Sequence, residues 1–165
     1  MRSRTRLGWL PRLMVVGMVA SAVASPASAS LSATRHTFSA TYTGSGHGQV
    51  QGTSVSGRAT LHGRGRPMGR STLSGSARGI FINSVCVVWS GRGVLRSKAG
   101  SITLTAHGAR ACARADRNIV SFAGSAKVAR GTSTFKGAHG TLSFHGAYGR
   151  NSGAVSISFK GQISY

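Results

Sequence analysis

The last twelve residues, Ala154–Tyr165, read AVSISFKGQISY. Val155, Ile157, Phe159, Ile163 and Tyr165 share one parity, and Ser156, Ser158, Lys160, Gln162 and Ser164 share the other. Successive side chains of a strand point to opposite faces, so the run reads as a strand with one face buried and one in water. The same alternation recurs upstream. Phe38, Ala40 and Tyr42 form one apolar set; Val55, Ala59 and Leu61 form a second; Ile102, Leu104 and Ala106 form a third. Val120, Phe122, Ala126 and Val128, then Leu142, Phe144 and Tyr148, continue the series. The intervening positions are mostly serine and threonine, which suit a solvated pleated surface.

Ile80–Trp89 breaks the rule, being apolar on both parities. It is expected to be one strand, bent, with both faces buried. Glycine recurs about every ten residues and reads as turns and bulges. No window has a helical period, and the chain contains no glutamate. About eight short antiparallel strands in one all-β domain predict either a closed barrel or a sandwich.

The N-terminus follows a different logic. Arg2, Arg4, Arg6 and Arg12 precede a short apolar run, Leu13 to Val23, and then Ala27-Ser28-Ala29. This is the pattern of a secretory signal peptide over residues 1–29, cleaved after Ala29. The apolar run is too short for a comfortable bilayer span, and no segment of residues 30–165 is apolar enough to cross as a helix. Residues 30–165 make one domain with room for one core. The expected location is outside the cell or on its surface.

Of 21 lysines and arginines, four lie in the leader; the remaining 17, against the single acid Asp116, leave +16 on residues 30–165. Such a chain is drawn to polyanions: nucleic acid, acidic polysaccharide, anionic wall polymers or anionic lipid. The charge gathers in GRGRPMGR (Gly63–Arg70) and SGRGVLRSKAG (Ser90–Gly100). Arg64, Arg66, Arg70, Arg92, Arg96 and Lys98 are therefore the candidate polyanion contacts, expected on loops. The clusters lack the interleaved aromatics that stack nucleic-acid bases.

Cys86 and Cys112 are the only cysteines. In an exported chain an even count reads as a disulfide. The alternative, a metal or redox pair, lacks a C-x-x-C spacing, and the nearest histidine, His107, is five residues from Cys112. No metal and no cofactor are expected. His139 and His145 are six apart, too far along a strand to share an ion. A metal would need His36, His47, His62 or His107 from other strands. Lys136 precedes Gly137 and no helix follows, so Gly131–Gly146 does not make a phosphate loop. Paired-carboxylate catalysis is excluded by the single acid. A triad would have to use Asp116, and no G-x-S-x-G elbow is present. A histidine or tyrosine polarising a ligand inside a barrel stays open.

The stretch GTSTFKGAHGTLSFHG (Gly131–Gly146), followed by SGAVSISFKGQISY, resembles the G-T-x-x-F-x-G-A-x-G hairpin and closing strand of allene oxide cyclase/dirigent-like barrels. Bacterial secreted members share this ending. The likeness covers about Val120 to Tyr165. Ser133 stands where the motif often has a third-position glycine. The resemblance implies a single eight-stranded antiparallel barrel with a central cavity. Plant relatives use that cavity to cyclise an epoxide or to steer phenoxy-radical coupling. Dirigent sites use lumenal aspartates and arginines; with one aspartate here, no catalytic residue carries over. Two functions follow as expectations. The first is a secreted, basic, non-enzymatic barrel that binds anionic envelope or extracellular polymers. The second is a lumen enzyme or carrier for a small apolar ligand.

Overall fold

The computed structural model describes residues 34–115 and 117–165. The predicted leader and Asp116 lie outside the described residues. Eight strands follow in chain order: β1 Arg35–Gln51, β2 Ser54–Arg66, β3 Gly69–Phe81, β4 Cys86–Ser97, β5 Gly100–Ala113, β6 Ile119–Gly131, β7 His139–Gly149 and β8 Ala154–Ser164. A 3-10 turn, Ser133–Phe135, precedes β7. Each strand pairs antiparallel with the next, and β8 pairs back onto β1 through Arg35↔Ser164 to Ser45↔Ala154. This closure decides between barrel and sandwich in favour of the barrel and leaves no free sheet edge. Ser32–Tyr165 forms one compact unit that contains the whole barrel.

The predicted alternation positions the core. Phe38, Tyr42, Leu61, Leu104, Leu142, Phe144, Phe159 and Ile163 are buried, and the serines and threonines between them mostly face out. Outward positions are mainly Ser, Thr, Arg and Lys, the reverse of the apolar band that a membrane-spanning barrel shows to lipid. Among the described residues no helix is long and apolar enough to cross a membrane. Register shifts on β5 and β6 mark bulges, one of them at Gly108, whose φ of 66° is in the left-handed region.

The reading of Ile80–Trp89 as one doubly buried strand is overturned. The segment is the end of β3, a turn over residues 82–85, and the start of β4. Asn83 Oδ1 accepts the backbone N–H groups of Val85 at 3.0 Å and Cys86 at 2.8 Å, which closes the turn. Ile80 and Ile82 are exposed, at 58% and 49%. The apolar run hid a turn whose only polar signal was Asn83-Ser84. The Cys86–Cys112 disulfide is present and joins directly opposed residues of β4 and β5.

The end of the barrel at Thr34 and Tyr165 is packed solid. Phe38, Tyr42, Leu95, Ile102, Phe135, Leu142 and Ile163 are fully buried there. Gly63 lies under the Tyr42 ring, where any Cβ would strike that ring and the β1 backbone. The Tyr42 hydroxyl is 2.8 Å from Ser71 Oγ. Burial pushes the Tyr42 pKa up from 10.0, and the Ser71 bond offsets part of the rise. The folded state therefore favours the neutral phenol. That contribution is whole below pH 10 and is lost as pH climbs past it toward the folded pKa. Tyr42→Phe is expected to cost about 1 kcal/mol at neutral pH. It should also flatten the fall in thermal midpoint above about pH 10, which unfolding scans across that range will read.

Candidate functional site

Inward positions at the two ends of the barrel differ in kind. Toward the turns that join β1 to β2, β3 to β4, β5 to β6 and β7 to β8, many of the inward residues of β1–β4 are small. They include Gly46, Gly48, Gly57, Gly75, Ala77 and Gly91. Across the lumen stand Phe122, Phe144, Tyr148, Val155, Ile157 and Phe159, with Trp89 from β4. One wall lacks the side chains that would meet the other wall. The gap is a cavity of ≈ 500 Å³, open at this end and floored by Leu61, Leu73, Leu104 and Ala126. That volume falls in the range of small-molecule sites.

The large side chains are held by one another. Trp89 meets Phe122 edge-on at 6.3 Å and Phe144 at 5.6 Å. Phe144 contacts Phe159 at 5.9 Å, and Phe159 contacts Tyr42 at 6.2 Å. This aromatic row runs from the open half of the lumen into the packed end and fixes the shape of the wall.

The lining is predominantly apolar, bordered by His47, Arg58, Arg78, Arg92 and Arg150, and two of its aromatic residues carry polar groups. Tyr148 leans across β8 so that a Cβ on Gly48 would sit 3.7 Å from its hydroxyl. Neither that hydroxyl nor the Trp89 indole N–H bonds to a described residue. Both are free to orient one polar end of an apolar guest. No carboxylate side chain exists among the described residues. The lining therefore offers shape, apolar area and hydrogen bonds rather than an acid–base pair.

Of the six candidate polyanion contacts Arg92 borders the cavity and the other five lie elsewhere; five of the six are on strands rather than loops. Only Lys98 sits in a turn, between β4 and β5. A two-residue turn, Pro67-Met68, carries GRGRPMGR around, so Arg64 and Arg70 face each other directly across β2 and β3. One step along lies the row His62–Thr72–Arg96, with His62 Nδ1 3.2 Å from Thr72 Oγ1. Arg64, Arg70, Arg96 and His62 surround a shallow depression on the outer face. Arg92 is farther along β4, opposite Ser76, and Ser76 is also opposite Arg58. Arg66 lies beyond Arg64, across from Ser39 of β1.

Sequence reasoning missed Arg58 and Arg78 as members of this face, although the parity of β2 already turned Arg58 outward. The residue pattern by itself did not locate the lumen that the family resemblance implies, because glycines inside strands read as breaks. The histidines are dispersed: His36 stacks on Tyr165 at 4.3 Å, and His139 Nδ1 lies 3.1 Å from the Gly137 carbonyl. No group of three metal-ligating side chains occurs among the described residues.

Comparison with protein-family models, with curated proteins and with solved structures found no match to this chain.

Proposed function

We propose that the barrel carries a small apolar molecule in its lumen. The observation that supports this is the open cavity of ≈ 500 Å³ with a predominantly apolar lining, whose basic members are Arg58, Arg78, Arg92, Arg150 and His47. Water gains little from filling such a space, while an apolar guest removes area from water at about 25 cal/mol per Å². The likeness of about Val120 to Tyr165 to lumen-using barrels agrees with this reading. No carboxylate side chain among the described residues lines the lumen, and the proposed activity is binding rather than turnover. An exported carrier also accounts for the disulfide and the leader-like N-terminus.

Ala77 faces the lumen from β3. Ala77→Phe is expected to fill the cavity and weaken binding of a neutral apolar fluorescent probe by at least about tenfold. The thermal midpoint should hold or rise, because the added ring occupies empty space. Equal probe affinity in parent and variant would count against lumen binding.

A second reading is supported by a separate observation. Arg64 and Arg70 are directly opposed, with no acidic side chain among the described residues to neutralise them. Like charges so placed destabilise a sheet, and a polyanion laid between them relieves the repulsion. The outer face of β2–β4 is then a contact surface for anionic envelope or extracellular polymers. Arg64→Gln with Arg70→Gln is expected to lower the salt needed to elute the protein from heparin. Retention that ignores salt, or no retention near physiological ionic strength, would contradict it.

A further inference from the structure

The exposed large hydrophobic residues among the described positions are Val50 at 64%, Ile80 at 58% and Ile82 at 49%. Single exposed apolar residues need no explanation, but these three share one rim. Val50 and Ile80 are the next-to-last residues of β1 and β3, while Ile82 sits in the turn to β4. The two hairpin tips are tied together, since Phe81 N–H donates to the Thr53 carbonyl at 2.9 Å. Phe81, between the isoleucines, lines the cavity, and so does Val50. The apolar rim is thus continuous with the lumen.

Positive charge borders this rim. Ile80 is opposite Val88, which is opposite Arg110 on β5. Arg78 lies two residues before Ile80 on the same outward face of β3. Arg150 stands in the turn between β7 and β8 and lines the mouth. None of these arginines has a carboxylate partner among the described residues.

We infer that the open end of the barrel docks on an anionic phospholipid surface. Ile80, Ile82 and Val50 enter the boundary between headgroups and acyl chains. Arg78, Arg110 and Arg150 meet lipid phosphates at headgroup level. Apolar area and attraction to anionic lipid add in such interfacial binding. Docked this way, the mouth faces the acyl region, and an apolar guest passes between bilayer and lumen without crossing water. This inference rests on the carrier reading for its purpose but not for its geometry.

The test uses the chain starting at Ser30, which contains the entire barrel, with vesicles of phosphatidylcholine alone or mixed with phosphatidylglycerol. Co-sedimentation with the mixed vesicles is expected, strongly reduced with phosphatidylcholine alone. Ile80→Ser with Ile82→Ser should weaken partitioning on the order of a hundredfold, about tenfold for each side chain withheld from lipid. Arg78→Gln with Arg110→Gln should weaken it and reduce its dependence on salt. Arg64→Gln with Arg70→Gln, at the other end of the barrel, should change it by no more than about twofold. As a check independent of affinity, Ile82→Trp in a Trp89→Phe background should give blue-shifted emission on adding mixed vesicles.

Partitioning that is indifferent to the isoleucines would overturn the inference. So would partitioning lost chiefly through Arg64 and Arg70, or a rim that instead pairs two copies of the chain in solution. Probe binding without vesicles reads the carrier proposal separately. If the probe fails to bind while partitioning still depends on Ile80 and Ile82, docking stands and the carrier reading fails. If the probe binds and partitioning ignores them, the reverse holds.

Discussion

Phe135→Ala is expected to destabilise the barrel by about 3–5 kcal/mol. Phe135 is 1% exposed and closes the packed end of the barrel. Its ring lies edge-on to Tyr165 at 5.2 Å. Its backbone is committed as well: Phe135 N–H donates to the Thr132 carbonyl, and the Ala138 N–H donates to the Phe135 carbonyl, each at 3.0 Å. Thr134 N–H reaches across to Ala99 at 3.2 Å, which ties this segment to the turn between β4 and β5. With the segment held on several sides, little can collapse into the space that the ring leaves. The cost should therefore lie toward the upper part of the range. Equilibrium denaturation gives the value directly. A loss below about 1 kcal/mol would mean that Phe135 is not the plug described here.

Removing the disulfide is the second large effect. Cys86 and Cys112 are 26 residues apart in sequence. Closing a loop of that length restricts the unfolded chain by about 3–4 kcal/mol. Cys86→Ala with Cys112→Ala is expected to lower stability by that amount and leave the strand signature of circular dichroism intact. The closed hydrogen-bond ladder on either side of the bridge does not depend on the sulfurs. Reduction of the unaltered protein should give the same fall. A double variant as stable as the parent would mean that the unfolded chain is already constrained there.

Much of the architecture was legible in local pattern. The parity of AVSISFKGQISY turned Phe159 and Ile163 inward, and both are buried. Within Gly131–Gly146 the same reasoning put Leu142 and Phe144 on the apolar face, and both are buried. Ser133, where the barrel motif often has glycine, has a φ of 54°, a left-handed conformation that favours glycine.

What stayed hidden depends on register between distant strands. Thr41 and Ser158, 117 residues apart, share a side-chain hydrogen bond across the β1–β8 seam. No local pattern encodes that closure. The wall that opens the lumen was not legible in local pattern for a related reason. Gly57, Gly75 and Gly91 open a cavity only because they fall on one wall of it, and sequence spacing alone read them as turns. The facing pair Arg64 and Arg70 follows from the two-residue turn at Pro67-Met68, which the charge count obscured by making the segment look like a loop.

Trp89 gives the most direct test of the carrier account. It is the sole tryptophan of residues 30–165 and lines the lumen. A long-chain alcohol brominated along its chain quenches indole emission only on close contact. Titration into the barrel is predicted to quench Trp89 saturably at one ligand per chain, and Ala77→Phe should abolish the effect. Trp89 emission unchanged at saturating ligand, with the parent protein folded, would contradict the claim that the lumen is the binding site.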